Sequence, residues 1–127
     1  MSERQLVAST MHIGAVAERT GLSLRTLRHY DEVGLLRPTG RTDGGFRLYT
    51  DADVERLLLI RRMKPLGFTL VEMAELLELV DALAADTDAP NTQKRLEEFV
   101  ARAHEQRADL ARKLAMADEF IALLEGR

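Results

Sequence analysis

The sequence predicts a mainly α-helical protein in which a compact N-terminal domain precedes one long C-terminal helix. Only 5% of the 127 residues are aromatic and Trp is absent, so a core must consist mostly of Leu, Ala, Val and Met. These residues, with the abundant Glu and Arg, favour helix. A seven-residue apolar repeat near the C-terminus indicates that the last helix is much longer than the others.

Several classes of protein are excluded by the residues that the sequence lacks. The chain has no Cys, which excludes a disulfide, a zinc-thiolate site or a redox thiol within it. No run approaches the roughly 18 apolar residues of a membrane span, and residues 1–10 lack the apolar stretch of a signal peptide. We therefore expect a soluble, cytoplasmic protein with no membrane partner, in which residues 1–10 are a disordered leader.

The charge of the chain is distributed unevenly. Residues 1–69 contain 11 Lys and Arg against 8 Asp and Glu, whereas residues 70–127 contain 7 against 13. Such asymmetry suggests that the N-terminal half meets a polyanion and the other half does not. On charge alone, chance and solvated helix faces explain the pattern equally well.

Two short helices separated by a glycine turn are predicted from Ile13 to Val33. Gly21 ends the first helix, and the hydroxyl of Ser23 can cap the second by accepting from a free amide of its first turn. The second helix separates apolar from polar residues, with Leu24, Leu27 and Val33 on one side and Arg25, Arg28, His29 and Glu32 on the other. Two helices joined in this way form a helix-turn-helix.

A small β-hairpin is predicted directly after these helices. Pro38 and several glycines exclude a helix between residues 35 and 49, and residues 43–45 (Asp-Gly-Gly) are a turn signal. Residues 35–37 before the turn and 46–49 after it can pair as two short strands. A hairpin in this position is a wing, and the predicted fold is therefore a winged helix-turn-helix.

Two further helices complete the predicted N-terminal domain, residues 11–85. Thr50 begins one of them, with Asp53 in place of the usual Glu three residues after the cap, and Pro65 and Gly67 end it. Thr69 and Glu72 form a more typical capping box for the next helix. Residues 86–91, which include Pro90, are predicted to be a linker.

The last segment, residues 92–127, carries a regular apolar seam. From residue 96 the seam advances by four and three residues through Leu96, Val100, Ala103, Arg107, Leu110, Leu114, Ala117, Ile121 and Leu124. A helix over residues 92–124 would be roughly 50 Å long, and its far half would expose these residues unless a second chain covered them. We therefore predict a homodimeric coiled coil, rather than a helix folded back on its own domain. Arg107 either snorkels from the seam or pairs across the dimer with an acid such as Glu97, Glu98 or Asp118.

The predicted DNA contacts lie on the second helix and the wing. Arg25 and Arg28 project from one helix face and can meet phosphates or guanine edges together, while Ser23 and Thr26 add donors near the helix N-terminus. Around the wing lie three further guanidinium groups, those of Arg37, Arg41 and Arg47. The alternative is that these arginines only form surface ion pairs with Asp31, Glu32 and Asp43.

The aromatic and histidine residues of this region allow two interpretations. Tyr30 is equally suited to donating to a phosphate and to packing in the core, whereas for Tyr49 we favour core packing with a phosphate contact added. His29 is expected to face phosphate or solvent, because no other His or Cys lies at ligand spacing. We expect no metal site, no cofactor and no enzymatic activity, since neither a phosphate-binding glycine loop nor a catalytic triad is recognisable.

The residues above resemble the MerR family of transcriptional regulators. The resemblance rests on the segments IGAVA at 13–17, GLS at 21–23, TLRHYDEVGLLRP at 26–38, GFRLYT at 45–50 and LGFTL at 66–70. It implies a recognition helix over residues 24–33, a wing that grips the DNA backbone through Arg37 and Arg47, and phosphate-binding amides at Gly67, Phe68 and Thr69. It also implies an antiparallel coiled-coil dimer that binds a promoter palindrome and distorts it, so that RNA polymerase is affected indirectly.

The chain departs from this resemblance in its C-terminal third. Metal- and redox-sensing members use cysteines near the end of the dimerisation helix, and this chain has none. We also expect no separate drug-binding domain, because only three residues of this sequence follow Leu124. The effector could be an unknown small molecule, a protein or nothing at all. An architectural, excisionase-like DNA-binding protein is the alternative function, and a helical protein-binding adaptor is a weaker one.

Overall fold

A computed structural model describes residues 9–85 and 90–127 of the chain. They form two compact units, one reaching to Ala74 and the other beginning at Glu75. Most of the expected leader, residues 1–8, and residues 86–89 of the expected linker lie outside the described residues. No described helix is long and apolar enough to cross a membrane.

The first unit opens with strand β1 (Thr10–His12), helix α1 (Ile13–Thr20) and helix α2 (Leu24–Glu32). Gly21 ends α1 in the left-handed region at φ 74°, where its amide donates to the carbonyl of Ala17. The predicted helix-turn-helix is confirmed. Strand β1 was not predicted. The expected leader, residues 1–10, is therefore too long at its C-terminal end, because Thr10 pairs with Thr50.

The wing is a three-stranded antiparallel sheet in the order β1-β3-β2, in which β2 is Gly40–Arg41 and β3 is Arg47–Thr50. The prediction that residues 35–37 form the first wing strand is wrong. The amides of Leu35 and Leu36 both donate to the carbonyl of Tyr30, so this segment closes the end of α2 instead. Strand pairing therefore begins only at Gly40.

Two capped helices follow the sheet. Helix α3 (Asp51–Met63) begins with a reciprocal capping box between Thr50 and Asp53, as predicted, and continues into a 3₁₀ turn (Lys64–Leu66) that Gly67 ends at φ 80°. Helix α4 (Leu70–Ala84) follows the second predicted box, in which Thr69 and Glu72 each bond the other's backbone amide.

The core of the first unit lies where α1 and α3 pack against β3, with α2 packed on α1. Its most buried side chains are each almost fully shielded from water: Val16, Leu27, Tyr49, Val54, Leu57 and Ile60. Truncating one such residue to Ala costs about 2–5 kcal/mol in a well-packed core. This core holds α2 and the wing strands in fixed positions.

The second unit consists of the end of α4 and helix α5 (Pro90–Glu125). Helix α5 has 36 residues and is therefore about 54 Å long at 1.5 Å per residue. The helix begins two residues inside the expected linker, because proline is well tolerated in the first turn of a helix. Leu96 and Ala103 are partly covered, whereas every residue from 111 to 127 is exposed.

Candidate nucleic-acid interface

Helix α2 presents one buried face and one exposed, cationic face. Its cap is formed by Ser23, whose Oγ accepts from the amide of Thr26 at 3.0 Å. Leu27, Tyr30 and Asp31 are buried, whereas Arg25, Arg28, His29 and Glu32 are exposed. Two predicted core residues differ from expectation: Leu24 is 39% and Val33 is 49% exposed. Both lie at the ends of the helix, Leu24 as its first residue and Val33 as its C-cap.

The exposed face of α2 borders a shallow concavity of about 610 Å³. Five predicted site residues line it together with Glu32 and Lys64, namely Arg25, Thr26, Arg28, His29 and Tyr30. Sequence reasoning missed Lys64. The available signal was a cation in the last turn before Pro65 and Gly67, because this short turn brings the end of α3 beside α2.

A second concavity, of about 510 Å³, lies between α2 and the wing. Arg28 and Arg47 line it with His12, Ile13, Gly45 and Phe46. Phe46 was not predicted as a site residue, yet its side chain is 68% exposed on the wing. An exposed aromatic ring beside two guanidinium groups is suited to packing on a sugar–phosphate backbone.

The arginines of this region fall into two classes. Arg41 and Arg47 both donate to Asp31, each at 2.7 Å, which is the ion pairing that the alternative interpretation expected. Arg25 and Arg28 have no carboxylate partner within 4 Å among the described residues. These two side chains are therefore free to meet an external anion.

Arg37 lies five residues after the last residue of α2 and lines neither concavity. It is exposed, and its guanidinium lies over Gly34, with Nη2 3.3 Å from the position that a Cβ would take there. Gly34 has φ 76°, so a side chain at this position would be strained as well as crowded.

Both tyrosines are core residues in this structure. Tyr30 is 3% and Tyr49 is 1% exposed, and burial raises the pKa of each phenol. The hydroxyl of Tyr49 is buried and has no hydrogen-bond partner among the described residues. The phosphate contact predicted for Tyr49 is therefore not available in this conformation, because β3 turns the ring into the core.

The turn at Gly67, Phe68 and Thr69 differs from expectation. The amide of Gly67 donates to the carbonyl of Lys64 at 3.1 Å, and the amide of Thr69 donates to Glu72 Oε1 at 2.9 Å. Phe68 is only 8% exposed. Two of the three amides that were predicted to bind phosphate are thus used by the turn and by the cap of α4.

Two sequence profiles match the chain over this same architecture. The profile of the MerR HTH family regulatory proteins matches residues 11–79, and the MerR DNA-binding profile matches residues 54–124. The chain belongs to the MerR family.

Individual MerR relatives and structures agree with this assignment. The HTH-type transcriptional regulator CueR of Yersinia pestis is 39% identical over 114 residues, covering 86% of this chain and 80% of CueR. The HTH-type transcriptional activator mta of Bacillus subtilis is 40% identical over 110 residues, covering 87% of this chain. HiNmlR, a MerR family regulator lacking the sensor domain and bound to promoter DNA, has a TM-score of 0.70 at 28% identity, covering 92% of this chain and 91% of HiNmlR.

The match extends over less than half of some longer relatives. The chain spans 37% of the mta activator and 41% of the nodulation protein NolA of Bradyrhizobium elkanii.

No group of three or more His, Cys, Asp or Glu with metal-binding geometry occurs among residues 9–85 and 90–127.

Proposed function

We propose that this protein is a homodimeric regulator of transcription that binds a palindromic promoter site and alters transcription by distorting the DNA. The observation that carries the proposal is the exposed face of α2, where Arg25, Arg28 and Lys64 border one concavity. The two arginines have no carboxylate partner among the described residues. Membership of a family of HTH regulators supports it.

The dimensions and charge of α2 suit the major groove. A groove about 12 Å wide admits an α-helix, and arginine donates to both acceptors of guanine there. Arg25 and Arg28 are three residues apart and so project on the same side of the helix. Ser23, which caps α2, and the neighbouring Thr26 add short donors at the helix N-terminus, where negative charge is favoured. The wing then lies beside the phosphates that flank the groove.

The exposed apolar seam supports the homodimer. Leu110, Leu114, Ile121 and Leu124 are 42%, 65%, 50% and 56% exposed, and they share one face of α5. An apolar stripe of this length is typical of a surface that another protein covers. A second copy in an antiparallel coiled coil would cover it along the whole seam and would match the two-fold symmetry of a palindrome.

On the same proposal, the protein acts in the cytoplasm and has no catalytic role of its own. It affects RNA polymerase indirectly, by changing the shape of the promoter DNA. Bending or untwisting a site of 20–30 base pairs costs several kcal/mol, which contacts to the DNA backbone must offset. Because the chain contains no Cys, it has no thiolate that could bind mercury or copper or be oxidised by peroxide. An effector would have to be another small molecule or a protein, and regulation without an effector is the remaining possibility.

Selection and footprinting test this function. The purified protein is mixed with sheared genomic DNA of its source, the retained fragments are sequenced, and the strongest is footprinted. We expect a palindrome lying within a promoter spacer, with enhanced cleavage at its centre where the DNA is distorted. Binding without a palindrome, or at a site outside any promoter, would favour the excisionase-like alternative. An absence of DNA retention would favour a protein-binding adaptor.

A further inference from the structure

The two wing arginines meet on a single carboxylate oxygen of the recognition helix. Asp31 lies in the last turn of α2 and is 9% exposed. Its Oδ2 accepts from Nη2 of Arg41 and from Nε of Arg47, both at 2.7 Å. Charge-assisted hydrogen bonds of this length are stronger than neutral ones. Asp31 therefore joins α2 to strands β2 and β3 of the wing.

The pairing register explains why a carboxylate is needed at this point. Arg41 on β2 and Arg47 on β3 are directly opposite each other in the antiparallel ladder. Like charges in such a pair repel and destabilise the strands. Asp31 bonds both guanidinium groups and offsets this repulsion. Two arginines can therefore occupy paired positions that strand pairing alone would disfavour.

The protonation state of Asp31 agrees with this role. Burial of the Asp31 carboxyl acts to raise its pKa, but the hydrogen bonds and charges of Arg47 and Arg41 outweigh burial and lower the pKa below its ordinary value. The carboxylate is therefore ionised at neutral pH. The three groups together carry one net positive charge, whereas the arginines alone would carry two.

We propose that Asp31 is a positioning residue for DNA recognition: it fixes the wing against the recognition helix and restrains the wing's attraction for phosphates of any sequence. This inference rests on the proposed DNA-binding function. Phosphate contacts set the register of a protein on the duplex without reading its sequence. A wing whose arginines are held in one orientation accepts only those phosphates that fit the position of α2 in the groove. Released arginines would bind any nearby phosphate.

The test compares Asp31→Asn with Asp43→Asn in the full-length protein. Asp43 is an exposed carboxylate in the turn of the same wing, and no described residue bonds it, so both variants gain one positive charge in one region. Affinities are measured at several salt concentrations for the fragment that the wild-type protein selects and for a scrambled fragment. Circular dichroism and sedimentation establish that each variant is folded and dimeric.

We expect Asp31→Asn to reduce the ratio of selected to scrambled affinity by about fivefold or more, mainly through tighter binding to the scrambled fragment. Its affinity for scrambled DNA should fall more steeply with salt concentration, by an amount equal to up to about two additional phosphate contacts per subunit. Asp43→Asn should change the ratio less than about twofold, since one added charge acts on both fragments alike. Equal effects of the two variants would overturn the inference while leaving the proposed function intact. If the wild-type protein selects no fragment, both are overturned.

A second comparison applies if Asp31→Asn does not fold. Arg41→Gln removes one restrained cation and Arg25→Gln removes one unrestrained cation, and both side chains are exposed. On the scrambled fragment, the restrained arginine should contribute less than half a phosphate contact to the salt dependence of binding, against about one for Arg25. Equal losses would mean that Asp31 does not restrain the wing charge.

Discussion

Thr50 and Asp53 bond each other's backbone across the first turn of α3. The amide of Asp53 donates to Thr50 Oγ1 at 3.2 Å, and the amide of Thr50 donates to Asp53 Oδ2 at 3.0 Å. The same Asp53 oxygen accepts from Thr39 Oγ1 at 2.5 Å. The cap therefore does more than begin a helix, because it fastens α3 to the segment that leads into the wing.

Removing this cap should destabilise the first unit. Thr50 is only 7% exposed, so Thr50→Ala leaves the amide of Asp53 in a buried place without its acceptor. We expect the free energy of unfolding to fall by about 1–2 kcal/mol, as measured by urea denaturation. Thr69→Ala is the matched control, since Thr69 makes the same contacts at the exposed start of α4 and should cost less. Equal losses would show that burial of the cap is unimportant.

The apolar seam of α5 gives a prediction about assembly. Leu114→Glu and Ile121→Glu place a charge at the centre of the proposed dimer, and each should convert it to monomer or aggregate, as sedimentation would reveal. Leu123→Glu is the control: Leu123 is 64% exposed but lies on the side of α5 away from the seam. It should remain dimeric. An unaltered dimer for both seam variants, or dissociation of the control as well, would mean that the seam is misassigned.

The helices could be predicted because their signals are local. Ser23, Thr50 and Thr69 are caps within three residues of their partners, and glycines with positive φ end α1 and the 3₁₀ turn. Strand β1 could not be found in this way, because three residues are too few to show an alternation of apolar and polar side chains. The strand is defined by its pairing with β3. The start of the wing was misplaced for a different reason. Apolar residues 35 and 36 resemble a strand, but their amides close the end of α2 by donating to the carbonyl of Tyr30.

Much of the candidate site could also be predicted from the sequence, except where a contact spans a large sequence separation. The spacing of Arg25 and Arg28 on one helix indicated a shared exposed face, and they have it. The sequence offered Asp31, Glu32 and Asp43 together as possible partners of the arginines, but the spacing did not single out Asp31 as the acceptor for both Arg41 and Arg47, which lie 10 and 16 residues away. Nor could it place Lys64 beside α2, since that position depends on the packing of α3.

The ionised state of Asp31 should appear in the pH dependence of stability. Its folded-state pKa is lower than the ordinary value of 3.8, so the folded protein binds fewer protons at this site than the unfolded chain. The stability that the carboxylate contributes is therefore fully present above about pH 5 and is lost as the pH falls through 3.8 toward the folded-state pKa. Urea denaturation between pH 7 and pH 3 measures this loss. The double variant Arg41→Gln/Arg47→Gln should show a shallower acid loss than the wild type, and an equal loss would contradict the assignment.

The unpartnered hydroxyl of Tyr49 predicts an unusual result for a core substitution. A buried hydroxyl with no hydrogen-bond partner opposes folding, so Tyr49→Phe should leave stability unchanged or increase it by up to about 1 kcal/mol. DNA affinity should also stay unchanged, because the hydroxyl does not reach the surface. Tyr30→Phe serves as the comparison, since Tyr30 borders the concavity beside α2. Weaker DNA binding by Tyr49→Phe would indicate that the ring moves outward on the DNA and makes the phosphate contact that its sequence position suggested.

The two units should respond differently to the loss of one arginine. Arg28 borders both concavities of the candidate interface, whereas Arg107 lies on the seam of α5 and is exposed. If Arg28 binds a phosphate, Arg28→Ala should weaken binding to every DNA sequence alike and reduce the salt dependence by about one contact per subunit.

A base contact by Arg28 would instead cost about 1–3 kcal/mol on the selected fragment and relax discrimination at that base pair. Arg107→Ala should leave the salt dependence unchanged and act only on the stability or register of the dimer. Binding isotherms at several salt concentrations, on the selected and scrambled fragments, separate these outcomes. A wild-type salt dependence and wild-type selectivity for Arg28→Ala, or a changed salt dependence for an intact Arg107→Ala dimer, would place the DNA-binding surface elsewhere on the molecule.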